Sequence, residues 1–135
     1  MRQRRPTARM ARDPRLICAS GQLREGGPGV RFTLRVDART GFEQTGFAVR
    51  FAGRACAYVN RCPHQGTELD WQPGEFFEES GLYLVCSTHG AIFQPDSGFC
   101  IAGPCRGAAL EALPVREQEG QVFLVEPPTN LIEAP

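Results

Sequence analysis

Two short pairs, Cys62-Pro63-His64 and Cys86-Ser87-Thr88-His89, concentrate the residues of this chain that can do chemistry. Each sets a histidine close behind a cysteine, C-x-H and then C-x2-H, with 21 residues between His64 and Cys86. His64 and His89 are the 2 histidines of all 135 residues. Two thiolates and two neutral imidazoles suit zinc or an iron–sulfur cluster. A zinc finger with this donor set places its cysteine pair first and its histidine pair later. Here the types alternate. Alternation suits a dinuclear cluster in which one iron takes both cysteines and the other both histidines, each loop supplying one ligand to each iron. A structural zinc site and a chance pairing are the alternatives.

Around these pairs, from about Ala57 to Leu110, the sequence resembles the Rieske ferredoxins and Rieske domains. The motifs are Cys62-Pro-His64-Gln-Gly66, Cys86-Ser-Thr-His89-Gly90, Asp96-Ser-Gly98 and Gly103-Pro104. The resemblance implies one Rieske-type [2Fe–2S] cluster per chain. It implies that Cys62 and Cys86 hold the inner iron, and that His64 and His89 hold the outer iron near the surface. The segment between the loops is somewhat longer than the commonest family spacing. Gly103-Pro104 matches the family's third loop, a lid that shields the cluster from water. High-potential respiratory members carry an extra cysteine in each ligand loop, joined as a disulfide; Thr67 and Thr88 stand at those positions. Ala91 and Phe93 stand where those members place a Ser and a Tyr hydroxyl. Without the two hydroxyl donors the reduced state is less stabilised. The expected potential therefore lies near the low end of the Rieske range of about −150 to +300 mV.

The elements that must position these residues read as strands. Phe32, Leu34 and Val36 alternate with Arg31, Thr33 and Arg35, the pattern of a half-buried strand. Phe47 to Phe51 and Arg54 to Val59 are strands around a tight Ala52-Gly53 turn. Leu82 to Val85 reads as a short buried run into the second ligand loop, and Ala91 to Phe93 leads out of it. Leu110 to Arg116 and Gln121 to Val125 form a closing hairpin around Glu119-Gly120. One weak helix candidate covers Gly74 to Ser80. The expected fold is all-β, and the resemblance makes it a Rieske-like β sandwich with a small cluster-binding subdomain. Gly66 and Gly90 allow positive φ and close approach at the ligand loops. Backbone N–H groups freed there can point at the cluster sulfides and raise the potential.

Domain boundaries follow from composition. Residues 1–14 read as a disordered basic tail, residues 15–126 as one domain with its cluster loops within 60–106, and residues 127–135 as a loose C-terminal tail. Residues 1–15 hold six arginines against one acid, so they carry +5 and the remainder −5, because the total is zero. No apolar stretch follows Arg4-Arg5, which disfavours an export signal. No run approaches the length of a membrane span, and the mildly acidic body disfavours nucleic acid as a partner. The expected compartment is the cytoplasm. Glu68, Asp70, Glu75, Glu78 and Glu79 form either a solvated loop or a negative rim for a basic redox partner. Arg61 and Arg106 flank cysteines and read as surface residues or as contacts that stabilise an extra electron.

Cys18 and Cys56 lie in apolar runs and read as small core residues. Cys100 and Cys105 flank Ile101-Ala-Gly-Pro104; they either bridge that turn or pack as free thiols beside the cluster loops. An oxygenase needs a second iron held by two histidines and a carboxylate, and both histidines are already used. No G-x-G-x-x-G follows a strand. The chain therefore reads as an electron carrier rather than an enzyme, receiving electrons from a reductase and passing them to an oxygenase or other acceptor. The alternatives are a small Rieske subunit of a larger redox enzyme and a redox sensor switched by Cys100 and Cys105.

Overall fold

Phe47-Ala48-Val49 and the run from Ala55 to Val59 are continuously apolar, as in strands covered on both faces. In the computed structural model, which describes residues 14–63 and 66–125, they lie in the paired strands β3 (Glu43–Phe51) and β4 (Arg54–Val59). These strands are central in a four-stranded antiparallel sheet with β2 (Val30–Val36) and β8 (Ala112–Leu113), in the order β2-β3-β4-β8. A second sheet joins β1 (Arg15–Ala19), β9 (Val115–Gln118) and β10 (Gln121–Leu124), in the order β1-β10-β9. The third and smallest sheet, β5-β6-β7, holds β5 (Leu84–Val85), β6 (Ile92–Phe93) and β7 (Cys100–Ala102). This is the expected all-β sandwich with a small subdomain.

Strand alternation divides the core in two. Ala48, Ala57 and Val59 pack with Cys18, Val122 and Leu124 against the second sheet. Phe47, Val49, Cys56 and Tyr58 point the other way, into a cluster with Leu69, Phe76, Leu84, Phe93, Cys62 and Cys86. Phe47 stacks on Phe76 with ring centroids 3.9 Å apart. Each fully buried Phe contributes about 1.5–3 kcal/mol through burial. The small subdomain thus sits on the large sheet through aromatic packing.

Both expected two-residue turns form. Ala52-Gly53 and Glu119-Gly120 have φ of 54° and 78°, and of 52° and 78°, the paired positive values of a turn that matches strand twist. Three expectations change. The run from Leu110 to Arg116 is not one hairpin arm: β8 pairs with β4, whereas β9 pairs with β10. Pro114 stands at the crossing, where its missing N–H cannot join a ladder, and its carbonyl accepts from Val125 N–H at 2.9 Å. Gly74 to Ser80 is not a helix. Val85 N–H donates to Phe76 C=O and Glu78 N–H to Tyr83 C=O, both at 2.9 Å, so this backbone pairs with the β5 segment instead of with itself. Of the run from Leu82 to Val85, Leu82 and Tyr83 are exposed and Leu84 is buried. Both expected tails lie outside the described residues, apart from Pro14.

Candidate metal centre

Each Cys-His loop leaves a strand of the core. β4 runs through Asn60 and Arg61 to Cys62, and β5 runs directly into Cys86. The two loops are closed in the same way. Cys62 N–H donates to Thr67 C=O at 2.7 Å, and Gly66 N–H donates to Cys62 C=O at 2.8 Å. Cys86 N–H donates to Ala91 C=O at 2.9 Å, and Gly90 N–H donates to Cys86 C=O at 2.8 Å. Gly66 and Gly90 take φ of 76° and 75°, the left-handed conformation that glycine adopts without a Cβ penalty. The expected positive φ is therefore present. The N–H groups of these two glycines are engaged in closing the turns, so donation toward a cluster falls to other backbone amides.

Cys62 and Cys86 are buried, at 1% and 0% exposure, in the same apolar cluster. His89, three residues beyond Cys86, is exposed. The second loop therefore spans from core to surface, with sulfur at the inner end and imidazole at the outer. His64 and Gln65 lie outside the described residues. Among the described residues, no three of His, Cys, Asp and Glu are grouped closely enough to hold a metal ion. The donor chemistry nevertheless fits an iron–sulfur cluster: two buried cysteine sulfurs at the mouths of two matched loops.

Leu69 joins the loops. Its N–H donates to Asn60 Oδ1 at 2.9 Å, and its C=O accepts from Ser87 N–H at 3.0 Å. Asn60 also donates from Nδ2 to Asp70 Oδ1 at 3.0 Å, and Asp70 Oδ2 accepts from Gly74 N–H at 2.9 Å. Asp70 is therefore a buried strut, not part of a solvated rim. Arg31 Nη2 pairs with Glu68 at 2.8 Å, and its Nε lies 3.5 Å from Asp70. Glu75 and Glu79 are exposed, and Glu78 is half-buried. Asn60 was not legible as important in the sequence; its one signal is a polar residue directly after the apolar run from Ala55 to Val59, two positions before Cys62.

The third loop packs on the second. A Cβ on Gly103 would meet Ala91 Cα at 2.8 Å, and Gly103 takes φ of 97°. Pro104 is exposed, while Cys105 beyond it is buried. Cys100 and Cys105 are free thiols and do not bridge the turn between them. Cys105 Sγ lies 3.9 Å from Cys62 Sγ. Burial, and then the Cys100 and Cys62 thiols, push the Cys105 thiol up to about 12. Cys18 and Cys56 are buried in β1 and β4, as expected of core residues. Ala91 and Phe93 are fully buried and bring no hydroxyl. Arg61 and Arg106 are exposed.

A family model described as Rieske [2Fe-2S] domain matches residues 14–124. Oxidoreductase NdmD of Pseudomonas putida is 31% identical over 86 residues, 57% of this chain but 14% of that protein. The fold matches the ferredoxin of carbazole 1,9a-dioxygenase from Nocardioides aromaticivorans IC177 with a TM-score of 0.62 and 23% identity, over 84% of this chain and 98% of that one. It also matches the terminal oxygenase of carbazole 1,9a-dioxygenase from Novosphingobium sp. KA1 with a TM-score of 0.67 and 24% identity, over 87% of this chain and 31% of that one. These structural likenesses establish a shared fold. The chain spans most of the ferredoxin, about a third of the oxygenase and a smaller part of the curated relative. Among the described residues, no helix is long and apolar enough to cross a membrane.

Proposed function

Because this chain belongs to the Rieske [2Fe-2S] domain family, with a Rieske-type [2Fe–2S] cluster as its cofactor, we propose that it is a one-electron carrier between a reductase and an oxygenase or other redox acceptor. Cys62 and Cys86 hold the inner iron; His64 and His89 hold the outer one. The bound cluster supplies reversible one-electron chemistry. The observation that carries the reading is the span of the second loop, with Cys86 fully buried and His89 exposed. Buried cysteines exclude water from the sulfur end, and an exposed imidazole brings the other end of the site within reach of a partner. Matched hydrogen bonds close each loop on itself, the first leaving the large sheet and the second the small one. The working compartment is the cytoplasm.

Absorption and low-temperature EPR spectra of anaerobically purified protein, before and after dithionite, test this. The expected result is a brown protein with a Rieske-type signal on reduction. Cys62→Ser and Cys86→Ser should abolish it, and His64→Ala and His89→Ala should abolish or distort it. A colourless protein holding one zinc, or an intact Rieske spectrum in any of these variants, overturns the assignment.

One observation favours a second reading. The same fold occupies 31% of an oxygenase chain, and the matched segment is 14% of NdmD. In that reading this chain is an accessory Rieske unit of a larger redox enzyme, and it co-purifies stoichiometrically with a large subunit.

A further inference from the structure

The third loop brings a sulfur to the first ligand loop that the ligand pattern does not require. Cys105 lies 43 positions from Cys62 in sequence, yet their Sγ atoms are 3.9 Å apart and both residues are buried. Gly103 sets this approach: its contact with Ala91 leaves no room for a Cβ and pins the loop in place.

The proton between these two sulfurs can be assigned, and the neighbouring Cys100 thiol is engaged elsewhere. Cys100 Sγ donates to Ala102 C=O at 3.2 Å. Cys62, as a cluster ligand, is a thiolate and has no proton to give. The hydrogen between Cys62 and Cys105 therefore belongs to Cys105. We infer that Cys105 donates an S–H···S hydrogen bond to the Cys62 ligand sulfur, making it a positioning residue that raises the reduction potential of the cluster. A donor to a ligand sulfur favours the state with more negative charge, which is the reduced one. Burial strengthens the effect, because the local dielectric is low and no water competes. Cys105 thus partly compensates for the hydroxyl donors missing at Ala91 and Phe93.

The inference rests on Cys62 being a ligand, and redox titration of the loaded protein followed by its visible spectrum tests it. In Cys105→Ala, the reduced-to-oxidised ratio at a fixed applied potential should fall about tenfold, which is about 59 mV for one electron. Cys105→Val, which fills the volume but cannot donate, should show the same fall. Cys105→Ser keeps a donor and should lie between these and the parent. A purely structural role would lower cluster occupancy or Tm and leave the potential in place. The parent protein offers an independent readout: its infrared S–H stretch should move to lower frequency on reduction, as the acceptor sulfur gains charge. An unmoved potential in either loaded non-donor variant, or an unmoved S–H band in the parent, overturns the inference. A parent protein that holds no cluster instead defeats the carrier reading beneath it.

Discussion

Asn60 Nδ2 donates to Asp70 Oδ1 across 3.0 Å, with both residues buried. Asn60 Oδ1 holds Leu69 N–H, and Leu69 C=O holds Ser87 N–H beside Cys86. One amide side chain therefore registers the first loop against the second. Asn60→Ala strips partners from buried groups at Leu69 and Asp70. It should destabilise the loaded protein by about 1–3 kcal/mol in urea unfolding and shorten the lifetime of the visible absorbance. Asp70→Asn should act in the same direction, because its NH2 must face a donor, either Asn60 Nδ2 or Gly74 N–H.

The hairpin closure of the Cys62 and Cys86 loops recurs at Asp37–Gly41 and Gln94–Gly98, each with N–H of the glycine on C=O four residues back. Gly41 and Gly98 both take φ of 78°. Their surroundings differ: a Cβ on Gly41 meets nothing within 4 Å, whereas one on Gly98 meets Tyr58 Cε1 at 2.7 Å. Gly41→Ala should cost about 1–2 kcal/mol from left-handed strain alone. Gly98→Ala should cost a further 1–3 kcal/mol, roughly, from overpacking. Equal losses in thermal unfolding would show that the Tyr58 contact carries no weight.

Arg50 straps the two larger sheets together. Its Nη2 and Nη1 bind Glu117 Oε2 and Oε1 at 2.7 and 3.1 Å, and its Nε donates to Leu23 C=O at 2.7 Å. The Arg50 hydrogen bond holds the Glu117 carboxyl below its ordinary value of 4.5. A depressed carboxylate contributes stability above that ordinary value and loses it as pH falls through the folded value. The contribution is about 1 kcal/mol or less at this partly exposed site. Glu117→Gln should flatten the acid side of the stability–pH curve below pH 4.5. Arg50→Lys, which keeps the charge but not the two-pronged geometry, should lower Tm.

Tyr58 gives the opposite sign at high pH. Its hydroxyl donates to Pro95 C=O at 2.7 Å, and burial pushes the phenol well above its ordinary value of 10.0. Its contribution is fully present below pH 10.0 and is lost as pH rises beyond it. Tyr58→Phe should cost about 1 kcal/mol at neutral pH and remove part of the alkaline decline, read by denaturant unfolding across pH.

What the sequence determined by itself was local. The Cys-His pairs, the glycine-closed turns and the doubly apolar runs of β3 and β4 depend on spacing and on φ preferences, which a few neighbouring residues set. The same information left Gly74 to Ser80 open to a helical reading, because the partners of that backbone, Tyr83 and Val85, become apparent only once β5 is placed. It read Leu110 to Arg116 as one arm, because no local pattern says that Pro114 marks a change of sheet. Asp70 looked like one more acid in a charged loop until packing put Asn60 and Gly74 against its two oxygens. Cys105 could be assigned to a turn but not to Cys62, since contacts across 43 positions follow from how the third loop docks. Tertiary structure alone decides such pairings, because burial removes water as the competing partner and leaves each polar atom with the neighbour that the fold supplies.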